Sequence, residues 1–219
     1  MAKAENTVKG SHKNITDMWF SATESSIREG YTWYTDAHNI AKQVSELCGT
    51  TDIRVGAGIL AALSPQMEWG ENIAEALKFA SLGYSKKQTG ANNAKAEKIR
   101  AGQDPAEVLG GLKVKAFYEA IVEPFGDGNP VIDRHALTVY YGKPVSKRDR
   151  NRAFSNTRVI ERLQWSYKKS AKDISLVLGY TVHYNVVQAV TWVQHRKDKG
   201  LVKEIEWENN QKLGVGNAE

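Results

Sequence analysis

The stretch Thr51 to Leu63, TDIRVGAGILAAL, constrains the fold of this chain most strongly. Beyond its first four residues it is nearly all small and apolar, with no polar face. A helix of that composition is stable only when buried on all sides, so other helices must surround it. The neighbouring runs supply them. Asn14 or Thr16 can cap a first helix carrying Ile15, Met18, Trp19 and Ile27 and ending at Gly30. A second run places Ala37, Ile40, Ala41 and Val44 at spacings of three and four and stops at Gly49. Ser64-Pro65 ends the buried segment, an amphipathic run EWGENIAEALKFASLG follows, and a fifth covers roughly Asn92 to Arg100. Further helices are expected after Gly111, near Asp133, and over about 148 to 172 and 183 to 199. The sequence shows no repeat, no low-complexity segment and no strand pair, so the expected class is all-α.

With 219 residues and 41% apolar content the chain can bury a sizeable core without covalent staples. We expect a flexible arm over 1–13, a helical domain over 14–199 as one unit or two closely packed subdomains, and a polar tail over 200–219. Cys48 is the only cysteine, which leaves neither a disulfide framework nor a Cys-based metal or iron–sulfur site. No metal or other cofactor is expected. The longest apolar run, VGAGILAALSP, is too short to cross a bilayer and no signal peptide is seen, so a soluble, cytoplasmic protein with no membrane partner is expected.

The net charge of +5 is mild but uneven: residues 143 to 173 carry ten Lys/Arg against three acidic residues, a local +7. Such a sector suits a polyphosphate partner, and equally a solvated helix face on a basic protein. Lys147, Arg148, Arg150 and Arg152 are its densest part.

A second stretch, LGGLKVKAFYEAIVEPFGDGNPVIDRHALTVYYG, carries the candidate chemistry. Gly110-Gly111 forms a tight corner between two short helical runs, DPAEVLGG and LKVKAFYEAI, a helix–hairpin–helix arrangement. Amides at such a corner can hold a phosphate through the helix dipole; a glycine C-cap followed by a new helix reads the same residues without function. Lys115 and Asp133, 18 residues apart, are then either an exposed lysine and a helix cap or two halves of one site.

These blocks resemble the helix–hairpin–helix DNA glycosylase superfamily, the endonuclease III-like enzymes. LGGLKVKAF is similar to the family hairpin LPGVGRKTA at Leu109, Gly111, Leu112, Lys115 and Ala116, and Ile132-Asp133-Arg134-His135 resembles its VDTH segment. The lysine-to-aspartate spacing is that of endonuclease III. Upstream, ILAALSPQ is similar to the family helix ending in LLSAQ, which puts Gln66 on the glutamine that enters the DNA. The resemblance covers roughly residues 52 to 142. Lys113 stands where the family has its second hairpin glycine, and Gly110 where it has proline, so the Lys113 ammonium can alter or supplement the hairpin's grip. A second resemblance, over WYTDAH, SPQ, IDRHA and QAVTWVQHR, is to a bacteriophage branch of this fold, and it implies a host-cell cytoplasmic setting without supplying an activity.

The resemblance implies an all-α glycosylase-like fold of two helical subdomains with a cleft between them and double-stranded DNA as partner; the family's usual C-terminal iron–sulfur cysteines are absent from this sequence, as in some members, so no iron–sulfur cluster is expected. Breaking an N-glycosidic bond builds positive charge on the sugar, which a nearby carboxylate, Asp133, would stabilise. A desolvated lysine, Lys115, would attack the sugar carbon to form a Schiff base; Lys113, two residues away, could exchange roles with it. Gln66 would fill the space left by an extruded nucleotide, Gly111 and Lys113 would grip phosphate, and Trp33, Tyr34 and His38 would receive the base, although an aromatic cluster at helical spacing also suits a core. Gln188, Trp192, His195 and Arg196 share one helix stripe, with Arg196 available to a phosphate or to Asp133. The expected function is a DNA N-glycosylase-type hydrolase; the alternatives are a transferase modifying a flipped phage base and a non-catalytic DNA-binding module.

Overall fold

Ser11, Thr23, Asp52, Thr89, Asp104, Asp133, Ser146, Asn156 and His183 each accept a backbone N–H two or three residues ahead, and each starts a helix. The computed structural model describes residues 10–201, and their regular structure is entirely helical. In chain order the helices are α1 His12–Ser21, α2 Glu24–Leu47, α3 Ile53–Leu63, α4 Trp69–Leu82, α5 Gly90–Arg100, α6 Pro105–Val108, α7 Leu112–Val122, α8 Arg134–Tyr141, α9 Lys147–Phe154, α10 Thr157–Leu178 and α11 Tyr184–Asp198. Most of the expected N-terminal arm and C-terminal tail lies outside the described residues. His12 and Lys13 belong to α1.

Several boundaries differ from those read in the sequence. The first helix is capped by Ser11, not by Asn14 or Thr16, and it ends at Ser21. Asn14 instead donates its side-chain amide to the Tyr140 carbonyl. Gly30 does not end a helix but lies inside the 24-residue α2, where it is buried. The run expected over 148 to 172 is two helices, because Asn156 caps a new one and α10 then continues to Leu178.

Burial explains the glycine. A Cβ at Gly30 would lie 2.4 Å from Val190 Cγ2 and 2.6 Å from the Val190 backbone, so α2 and α11 touch there with no room for a side chain. The helices gather round two hydrophobic cores. The first collects Trp33, Ala37 and Val44 of α2, α3 from Ala57 to Leu63, and residues of α4, α5 and α7. In α3, every residue from Gly56 to Leu63 is buried, as its composition requires. The second core collects Ile15 and Trp19 of α1, Leu137 and Tyr140 of α8, and Leu163, Tyr167 and Ile174 of α10. Helix α11 serves both, sending Ala189 and Val193 to the first and Val186, Val187 and Val190 to the second. Its apolar positions therefore run nearly all round the helix.

Gly30→Ala should lower stability by about 1–3 kcal/mol in urea unfolding, because the overpacking outweighs the roughly 1 kcal/mol that alanine gains in helix propensity. A stabilised variant would show that α2 and α11 do not meet there.

Candidate functional site

A cleft of about 770 Å³ opens between the two cores. Val131 and Ile132 bring the chain to it: in extended backbone successive side chains point to opposite sides, and here Val131 enters the first core and Ile132 the second. Asp133 follows them onto the cleft wall. Its Oδ1 accepts from the backbone N–H of His135 and of Ala136, both at 2.8 Å, capping α8. Its Oδ2 accepts from the Trp192 indole N–H at 2.9 Å. An ionised carboxylate offers about four acceptor positions. Three are engaged among the described residues, which leaves one open.

Aromatic rings line the same cleft. Trp33 lies 5.0 Å from Trp69, 5.8 Å from Trp192 and 6.1 Å from Phe117, centroid to centroid, in tilted and edge-on arrangements. All four rings line the cleft. Tyr34 also lines the cleft, is 5% exposed and donates its hydroxyl to Gln188 Oε1 at 2.7 Å; burial first, then the Asp133 charge, pushes its pKa up. Asn72 also lines the cleft, at 1% exposure, and its Oδ1 has no hydrogen-bond partner among the described residues.

The mouth is basic. Lys113, Arg134 and Arg150 line it with Gln66. Gln66 has φ 63°, the sole positive φ at a non-glycine position among the described residues, and such strain at a cleft rim is held only by surrounding structure. Arg196 stacks 4.4 Å over the Trp192 ring and pairs with Glu68 at 2.6 Å, so in this state it serves neither Asp133 nor a phosphate. Of eleven described helices, only α4 and α7 start without a side-chain cap, and Trp69 and Lys113 at those two starts both line the cleft. Gly111, at the start of α7, has φ 81° and is exposed.

Several sequence-predicted residues fall elsewhere. Lys115 is exposed and does not line the cleft. Two residues along a helix turn a side chain by about 200°, so Lys113 and Phe117, one turn apart, face inward while Lys115 does not. The expected convergence of Lys115 with Asp133 is therefore replaced by that of Lys113. His38 is also absent from the cleft; its Nδ1 meets the Ile121 carbonyl at 2.9 Å near the end of α7. Lys147, Arg148 and Arg152 are exposed on α9 beyond the cleft lining, whereas Arg150, Asn151 and Phe154 reach it. The sequence reading did not single out Trp69, Phe117 or Asn72. Phe117 was within reach, since it sits four residues after Lys113 on the same helical face.

His135 also lines the cleft and stands 5.3 Å from His195, ring to ring. Burial lowers the pKa of both, partly offset by the Asp133 charge. Burial likewise lowers that of His183, whose Nδ1 accepts from Asn185 N and caps α11.

Over residues 1–199 the chain matches the family described as "Family of unknown function (DUF7178)", and it belongs to that family. Comparison with curated proteins and with solved structures gives no match. Among the described residues no helix is long and apolar enough to cross a membrane.

Two measurements check this geometry. In Asp133→Asn the cap acceptor survives, but an amide N–H then faces the Trp192 N–H, two donors with no acceptor. Stability should fall by about 1–3 kcal/mol, and Trp192→Phe in that background should recover part of it. The histidines set a pH dependence. Each binds a proton more readily in the unfolded chain, so their contribution is complete above the ordinary value of 6.5 and is lost as pH falls below it. The urea midpoint should drop from about pH 7.5 to about pH 5, and His183→Asn, which keeps a cap but removes one titration, should flatten the drop.

Proposed function

We propose that the protein binds double-stranded DNA, takes a nucleotide out of the stack into the cleft, and acts at its N-glycosidic bond. The observation that carries this reading is the Asp133 carboxylate, with an acceptor position to spare and one oxygen held by the Trp192 indole, lining with Trp33, Trp69 and Phe117 one space of ligand-binding size. Aromatic faces stack on any base, and a fixed carboxylate stabilises the positive charge that develops on the sugar as the base leaves. The basic mouth and the uncapped starts of α4 and α7 suit the phosphates on either side of the extruded nucleotide. Together with the hairpin and IDRH resemblances, these features support a glycosylase of the helix–hairpin–helix type. Lys113, not Lys115, is then the lysine available for covalent chemistry.

One observation favours a second reading, a DNA-binding module without catalysis: both Asp133 oxygens already serve the fold, as cap of α8 and as acceptor for Trp192.

The two separate on a panel of duplexes carrying uracil, hydroxymethyluracil, oxidised or methylated bases, assayed for free base by mass spectrometry. An enzyme releases one of them. Asp133→Asn, assayed where it remains folded, should lose at least ~10²-fold in rate while still binding DNA, since the carboxylate acts on developing charge. Lys115→Gln should leave release unchanged, and Lys113→Gln should reduce it. The logarithm of the affinity for random duplex should fall linearly with log salt, and the slope should shrink by about 0.9 for each phosphate contact removed by alanine at Lys147, Arg148, Arg150 or Arg152. Salt-dependent binding with no base released from any duplex is the result the module reading expects, and a flat salt response excludes both.

A further inference from the structure

The far end of α7 carries a second pocket, of about 180 Å³, that the DNA reading does not use. Glu119 and Glu123, one turn apart on α7, lean over the loop that follows. A Cβ at Gly126 would lie 2.6 Å from Glu123 Oε2, and one at Gly128 would lie 3.2 Å from Glu119 Oε2. Asp127 stands between those glycines. Among the described residues none of the three acids has an ion-pair partner within 4.0 Å.

The opposite wall comes from the first turn of α11. Asn185 lines the pocket at 3% exposure and donates its side-chain amide to the Pro124 carbonyl at 2.9 Å. Its Oδ1 is buried and has no hydrogen-bond partner among the described residues. Leaving an acceptor in that state costs free energy unless something positive or a donor answers it. Beside it, the single Tyr184 hydroxyl proton is shared between the Gly126 and Gly128 carbonyls, and burial followed by the charges of Asp127, Glu119 and Glu123 pushes its pKa up to about 12. Lys168 is the nearby cation, 3.3 Å from Asn129 Oδ1 and 5.1 Å from the Tyr184 ring centre, which leaves the acids in excess.

We propose that this pocket binds a hard divalent cation of the calcium class, held by the Glu119 and Glu123 carboxylates and Asn185 Oδ1 and completed by water. The donors are all oxygen. No group of three His, Cys, Asp or Glu side chains placed to hold a metal ion occurs among the described residues, so Asp127 adds no third carboxylate and amide and water oxygens must complete the set. Calcium accepts mixed carboxylate, amide and water ligands in loose geometry, and the pocket has room for several waters. Two carboxylates with partial hydration place the affinity on the order of 10⁻⁴ M. The cation would tie α7 to α11, the helices that bring Phe117 and Trp192 to the cleft, and would brace the loop leading to Asp133. The site stands independently of any DNA activity.

Terbium luminescence provides the test, because a tyrosine beside a bound lanthanide sensitises its emission. Chelator-treated full-length protein should give saturable terbium emission that calcium displaces, and calcium alone should raise the melting temperature. Glu119→Gln with Glu123→Gln replaces two exposed side chains, so the fold persists while both effects weaken at least tenfold. Tyr184→Phe should dim the emission and keep the calcium-induced rise. Emission and melting shifts that are absent, or that survive the double glutamine variant, overturn the proposal and leave Asn185 Oδ1 answered by water.

Discussion

The contact between α2 and α11 at Gly30 and Val190 is the constraint on which the rest of the structure depends. Each helix takes part in both cores, and the cleft exists because two cores are hung on one closely packed pair. With a side chain at Gly30 the helices could not approach to this distance. Trp33, one turn along α2, and Trp192, two residues along α11, would then lose their 5.8 Å ring contact. The same contact sets the depth of the cleft and the placement of its aromatic wall.

Asp133 inherits its position from that arrangement. Two adjacent side chains, Val131 and Ile132, are pinned in opposite cores, so the residue after them must emerge at the seam. Its carboxylate then does structural and electrostatic work at once. Oδ1 closes the start of α8, while Oδ2 orients the Trp192 indole, on which the Arg196 guanidinium rests. One charged group thereby couples the second core, the aromatic wall and the basic mouth. Arg196 is 13% exposed and shares its charge with Glu68, which is 64% exposed, so a phosphate could replace Glu68 without disturbing the stack on Trp192.

Much of this was legible in the residues. Periodicity and composition marked the all-helical class and the buried α3, and turn and cap residues located most helix ends. Gly30 misled because a glycine inside a helix and one that ends it look alike in sequence; only the proximity of Val190 distinguishes them. Asn156 was overlooked as a cap because the apolar pattern runs on both sides of it. Lys115 was favoured over Lys113 by alignment to a motif, while the face of α7 that meets the cleft is set by the burial of Ala116, Phe117 and Ala120.

The sequence by itself determined what is local: helix content, caps, the basic sector over 143 to 173, and Asp133 as an N-cap beside a glycine corner. These follow from interactions among residues within a turn or two of one another. The tertiary structure alone decided which side chains share a space. The meeting of Trp33, Trp69, Phe117 and Trp192, the exclusion of His38 and Lys115 from the cleft, the Arg196–Glu68 pair and the unanswered oxygens of Asn72 and Asn185 all join residues from different helices. Such contacts depend on how far each helix is rotated about its axis when it packs, and no short pattern records that rotation.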